Sequence, residues 1–100
     1  MLRIYTDIID FLRASRPLID RIARHDRDLV RQLRRAGASV ALNLAEGYGV
    51  SAGSKRSRYL TALGSAREVR ACFDVADAFG YAPPLGQALD AKLDIIIATL

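Results

Sequence analysis

Residues 43–58 read NLAEGYGVSAGSKRSR, and two folds compete for them. Three glycines, three serines and three cations in sixteen residues suit a loop that cradles phosphate after a β-strand, which would make the chain an α/β nucleotide binder. They suit a turn between two helices equally well. The segment GYGVSA, with Gly47, Gly49 and Ala52, fits the loose dinucleotide fingerprint in which alanine replaces the third glycine. That fingerprint works only where a strand delivers the tight turn and a helix N-terminus receives the pyrophosphate. A Walker-type loop fails on spacing, because Lys55 follows Ser54 rather than a glycine.

The flanks decide between the folds. Upstream, Leu29, Leu33, Ala36, Val40 and Leu44 recur at three- and four-residue steps, the apolar stripe of a helix. Downstream, Tyr59, Ala62, Ala66, Val69, Phe73 and Ala76 form a second such stripe. The glycine-rich stretch is therefore a turn between helices. The upstream helix is predicted to start at the N-cap Asp26 and run to about Glu46, with Gly47 taking the left-handed conformation that stops it. Asn43, Glu46 and Gly47 are thus assigned to a structural turn. The downstream helix is predicted from Ser54 to Phe79, with Gly80 as its stop.

Working outward, Ile4, Ile8, Phe11, Leu12, Leu18, Ile19 and Ile22 predict a first helix from Arg3 to about Arg24. Pro17 should kink or divide it, because it removes an amide donor and clashes with the preceding turn. After Tyr81-Ala-Pro-Pro, Pro84 is expected in the first turn of a last helix carrying Leu85, Leu89, Leu93, Ile96 and Leu100. No stretch alternates as a strand. The expected fold is all-α, an antiparallel up-down-up-down four-helix bundle forming one domain over residues 1–100.

The two central helices carry apolar residues on more than one side. Ala38, Ala41 and Ala45 lie with Arg34 on a second face of one, and Leu42 sits among Arg31, Arg35 and Glu46. Leu60, Gly64, Ala71, Val75 and Ala78 make a second stripe on the other. A monomeric bundle needs one inward stripe per helix, so Ala38, Leu42, Leu60, Gly64, Ala71 and Val75 are expected at an interface between copies of the chain.

The charge is uneven. The chain carries +4 overall, but residues 1–70 hold fourteen cations and seven acids, whereas residues 71–100 hold one cation and four acids. Arginines outnumber lysines thirteen to two, and arginine forks match phosphate geometry. Arg31, Arg34, Arg35, Lys55, Arg56 and Arg58 are the candidate nucleic-acid contacts, with Tyr48 and Tyr59 available for stacking. Lys55, Arg56 and Arg58 stand at a helix start, where free amides and the dipole favour phosphate. In an antiparallel pair Lys55 lies about 30 Å from Arg27, so the cations join into one stripe or ring only if subunits assemble. Nothing resembles a base-reading module, and sequence-tolerant contact with phosphates is the activity this pattern supports.

Chemistry has few carriers. One cysteine, Cys72, and one histidine, His25, offer no disulfide, no metal-ligand spacing and no nucleophile with a base on its face. The expectation is a protein without cofactor, metal or catalysis, cytoplasmic by its cysteine usage, and with no segment long and apolar enough for a membrane.

From Leu33 to Tyr81 the chain resembles the four-helix-bundle proteins of 23S ribosomal RNA intervening sequences. The shared pattern is carried here by Leu33, Arg34, Arg35, Ala36, Ser39, Asn43, Ala45, Glu46, Gly47, Gly49, Arg58, Tyr59, Leu60, Gly64, Ser65 and Glu68. One departure is Val50, where members commonly place a cation. The resemblance implies a ring-shaped homopentamer, with the accessory protein of diversity-generating retroelements as a relative. That relative is a basic pentameric barrel which binds nucleic acid and a reverse transcriptase. It also implies that Glu46 and Glu68 set helix register or subunit contacts. The leading expectation is a non-enzymatic homo-oligomer that binds RNA or DNA through arginines, as an accessory of a nucleoprotein complex. The alternative is a protein-interaction scaffold whose arginines serve subunit contacts, and a nucleotide enzyme ranks third.

Overall fold

A computed structural model describes residues 3–100, and five helices account for most of them: α1 (Arg3–Ala14), α2 (Arg16–Ala23), α3 (Arg27–Gly47), α4 (Ala52–Ala78) and α5 (Gln87–Thr99). The all-α expectation stands, with one more helix than expected. Pro17, in the first turn of α2, divides the first helix. The break is narrow, because the Ser15 amide donates to the Phe11 carbonyl and Ile19 donates to the Ser15 carbonyl. Ser15 is fully buried, and its hydroxyl donates to the Leu12 carbonyl at 3.1 Å. Both groups are thereby satisfied where water cannot reach. The two short helices form one bent arm.

Asp26 caps α3 as expected, its carboxylate accepting from the Leu29 amide at 2.9 Å. The far end of α3 corrects the expectation. Asn43, Glu46 and Gly47 all lie within the helix, and the left-handed residue is Gly49, at φ +83°. Gly47 is helical and buried, and its role is space: a Cβ there would stand 3.0 Å from Tyr59 Cε1 and 3.3 Å from Arg58 Cβ. The turn proper is residues 48–51. Ser51 caps α4 three residues ahead of Ser54, accepting from the Ser54 amide at 3.4 Å.

At the other end of α4 the expectation is met. Gly80, at φ +73°, donates to the Asp77 carbonyl while Tyr81 donates to Ala76 at 2.8 Å, the paired bonds of a Schellman stop. The last helix starts later than expected. Pro84 and Leu85 precede it, and Gly86 is the N-cap of α5.

The core runs the length of the molecule, whose extents are 43 × 25 × 18 Å. The α3–α4 hairpin is its backbone. Leu33, Ala36, Val40 and Leu44 of α3 face Ala62, Ala66, Val69 and Phe73 of α4, and the alanines bring the two helix axes close. On this floor α1 packs Ile4, Ile8 and Phe11, α2 packs Ile19 and Ile22, and α5 packs Leu93 and Ile96. The Phe11 and Phe73 rings meet edge-on, 6.0 Å between centroids. Gly37 admits Leu12 of α1, whose Cδ2 lies 2.7 Å from where a Cβ would be. Neighbouring arms run antiparallel: Ser39 meets Ser65 across α3 and α4, and Arg70 of α4 meets Asp90 and Asp94 of α5.

Cys72 sits in this core. Burial pushes its thiol up from the ordinary value of 9.0, and the Glu68 carboxylate adds to the rise. The thiol therefore stays protonated in the folded chain when it ionises in the unfolded one. A raised folded value gives stability that is full below pH 9.0 and falls as pH rises through the folded value, because the unfolded state then binds fewer protons. Denaturant titrations between neutral pH and pH 10 should show an alkaline loss for the native chain that C72A lacks. Equal losses in both would refute the assignment.

Candidate functional site

The six candidate cations go to three separate surfaces. Arg31 and Arg34 line a groove of about 510 Å³ between the end of α2 and the first half of α3, together with Arg24, Arg27, Ala23 and Val30. Arg27, Arg31 and Arg34 share one face of α3 because they stand at i, i+4 and i+7. Arg24 arrives from the C-cap of α2, where its amide donates to the Arg21 carbonyl at 3.2 Å and the next amide, His25, donates to Ile22 at 2.9 Å. Asp28 is the nearby acid, 3.4 Å from Arg31, and both side chains are largely exposed. An exposed pair of that kind holds its partner weakly, so the guanidinium groups in the groove are available to an anion.

Arg35, one residue further on, turns about 100° away and enters a different groove. That groove, about 620 Å³, follows the seam between α3 and α4 and is lined by Gln32, Arg35, Ala36, Ser39, Ser65 and Glu68. A chain of polar contacts continues along the seam toward the turn. The Ser39 and Ser65 hydroxyls lie 2.7 Å apart. Asn43 donates to the Ser39 carbonyl at 2.8 Å and to its hydroxyl at 3.1 Å. Arg58 reaches Asn43 Oδ1 at 3.4 Å and Glu46 Oε2 at 2.7 Å. Arg58 is thus engaged within the chain, and it ties the end of α3 to the start of α4. Arg35 and Glu68 give this seam groove both signs of charge, which suits it less to a polyanion than the α2–α3 groove.

Lys55 and Arg56 occupy a third place at the other end of the hairpin. With Ala52, Tyr59, Leu60 and Leu100 they line a shallow depression of about 360 Å³. The cations assigned together from sequence are therefore not one site: Arg31 stands in the first half of α3, and Lys55 at the start of α4, past the turn that ends α3. Arg24 and Arg27 were missed from the candidate set. The signal for Arg27 was its helical spacing from Arg31 and Arg34, and for Arg24 its spacing from Arg27 across a helix break.

Arg70 is engaged as well. Its guanidinium bonds to Asp90 at 2.8 Å and to Asp94 at 2.7 Å, with a further contact to the Asp90 carbonyl at 3.4 Å. It is the least exposed arginine among the ion pairs of the described residues, and it clamps α5 to α4.

Ala38, Leu42, Leu60, Gly64, Ala71 and Val75 are all exposed. Leu42 and Leu60 keep 58% and 54% of their surface in solvent. A Cβ at Gly64 would meet nothing within 4 Å, so nothing within the chain requires glycine there. Ala41, read from sequence onto the same outer face as Ala38, is instead buried in the core. Tyr48 is exposed, and Tyr59 is half-buried against the core.

Among the described residues no group of three or more His, Cys, Asp and Glu side chains is placed to hold a metal ion. Among the described residues no helix is long and apolar enough to cross a membrane. Residues 2–100 match the family model described as 23S rRNA-intervening sequence protein. None of the curated proteins and none of the solved structures compared with the chain matches it.

Proposed function

Because the chain belongs to the 23S rRNA-intervening sequence protein family, and because one of its grooves gathers four arginines, we propose that it binds the phosphate backbone of RNA or DNA. The groove formed by Arg24, Arg27, Arg31 and Arg34 is the contact, with Lys55 and Arg56 as a second, weaker basic site. It acts without catalysis, as an accessory of a nucleoprotein complex whose protein partner can be a reverse transcriptase. The observation that carries this reading is the lack of strong acidic partners in the groove, when Arg58 and Arg70 elsewhere are paired at 2.7 to 2.8 Å. Four guanidinium groups left to solvent at close quarters repel one another, and a polyphosphate relieves that repulsion.

Assembly is the second half of the proposal. The exposed stripe of α4 and Leu42 of α3 form the surface on which copies of the chain pack, and the resemblance sets the expected form as a four-helix subunit in a ring of five. Repeating the subunit would bring grooves and Lys55 sites of neighbouring copies into one basic track.

Titration of labelled single-stranded and duplex nucleic acid at two salt concentrations tests the reading. Four phosphate contacts predict that log K falls with log salt at a slope of about −3 to −4 per chain. Absence of binding at low salt, or binding indifferent to salt, overturns it. Light scattering on the same sample should give a mass well above one chain. A monomer mass with binding intact would retain the groove and remove the assembly. A chain that assembles but binds no nucleic acid is a protein scaffold.

A further inference from the structure

Beside the arginine groove three rings are stacked in series. The Schellman stop at Gly80 turns the chain back on itself, with Tyr81 bonding to Ala76 at 2.8 Å. This reversal brings the half-buried Tyr81 ring against two others. His25 stacks on it nearly parallel, 5.2 Å between centroids at an interplanar angle of 7°. Phe79 stacks on it as well, at 5.5 Å and 29°. Phe79 remains 68% exposed, the most exposed of the large apolar side chains of the described residues. Its ring is covered toward Tyr81 and open to solvent elsewhere.

The position of this ladder is informative. His25 stands between Arg24 and Arg27 in the α2–α3 loop, and both arginines line the basic groove. The ladder therefore begins where the groove begins. The cations of the groove thus flank His25, while Phe79 offers an exposed ring. A double helix presents phosphates on both edges and keeps its bases stacked inside. A single strand presents phosphates on one edge and free bases on the other.

We infer that the Phe79–Tyr81–His25 ladder is a base-stacking platform and that the ligand of the groove is single-stranded nucleic acid. The backbone follows Arg24, Arg27, Arg31 and Arg34, and a base at the end of that track stacks on the open face of Phe79. The inference rests on the groove's role as a phosphate contact. It adds the strand state of the ligand, through the sequence-tolerant attraction of any base for an aromatic face.

Affinities of the full chain for a labelled oligothymidylate and for a labelled hairpin duplex test it. F79A should weaken oligothymidylate binding about tenfold, leave duplex binding within about twofold, and leave the salt slope unchanged, since no phosphate contact is lost. F79W should restore the affinity, and its indole emission should be quenched by the single strand. R27Q/R31Q should weaken both ligands and flatten the slope. Equal loss for strand and duplex with F79A, or no loss, overturns the platform while leaving the groove in place. A loss accompanied by a smaller assembly mass overturns it too, and assigns Phe79 to a contact between copies. If the native chain binds neither ligand at low salt, groove and platform fail together.

Discussion

Phe11→Ala is expected to cost about 3–5 kcal/mol of stability and to lower the melting temperature by roughly 12–40 °C, at about 4–8 °C per kcal/mol for a domain of this size. Phe11 is fully buried at the place where α1 crosses the α3–α4 floor, and its ring and that of Phe73 meet nearly perpendicular, 6.0 Å between centroids. Two losses combine. Transfer of the ring to water removes its burial energy, and the hole left behind cannot be filled by neighbours that are themselves packed. One side of that hole is Phe73, held on α4, and the arm above is bent at Ser15, whose hydroxyl and amide are already committed to the Leu12 and Phe11 carbonyls. Guanidinium unfolding followed by helix content should show the shift in midpoint with an unchanged slope. Phe11→Leu should cost much less, because it retains most of the volume. A loss below about 1 kcal/mol for the alanine variant would mean that the first arm contributes little to the core.

Replacing Arg24, Arg27, Arg31 and Arg34 together by glutamine is expected to weaken nucleic-acid binding on the order of 100-fold or more at low salt and to reduce the salt slope by about 3 to 4. Glutamine keeps hydrogen-bonding capacity and most of the aliphatic stem, so the change isolates the charge. These side chains line an open groove, and the one ion pair lost, Arg31 with Asp28, is exposed on both sides and worth at most about 1 kcal/mol. The fold should therefore survive with a small change in melting temperature. R70Q is the matched control. It removes one charge from a half-buried clamp that bonds Asp90 and Asp94, so it should lower stability through α5 while leaving nucleic-acid affinity near native. The reverse pattern, with affinity tracking Arg70 and not the groove, would show that binding depends on the position of α5 and would remove the groove from the site.

The pattern of motif residues sharpens the division of labour in the molecule. Ser39, Asn43, Glu46, Gly47, Arg58, Tyr59 and Ser65 meet along one seam of the α3–α4 hairpin. Their contacts bind the two helices together near the turn. Arg24 and Arg27, which complete the basic groove, lie outside that set. The resemblance that identifies the family is thus carried chiefly by the residues that close the hairpin, and the anion groove uses a different edge of α3.

Much of the fold was legible without coordinates. Apolar residues at three- and four-residue steps identified the helices, Asp26 and Gly80 marked two of their ends, and Pro17 marked the break. These are local signals: a cap, a left-handed glycine or a missing amide acts within one turn of the chain. The errors share a cause. Gly47 was read as a conformational stop when its absent side chain makes room for Tyr59, a residue twelve positions away. Ser51 caps α4, so the helix starts at Ala52 rather than near Ser54, and Pro84 stands in a connection that Ala82 anchors in the core.

The candidate site was less legible for the same reason. Arg34 and Arg35 adjoin in sequence, yet the helix sends them to grooves of opposite character. Arg58 was grouped with Lys55 and Arg56, yet it turns to Glu46. Helical periodicity alone determined which faces of each helix are apolar and which are charged. Which charged faces meet, which arginines find carboxylates and which are left open to a polyanion were decided only when the helices packed. The pairing of a side chain depends on its neighbours across the bundle, and those come from other helices.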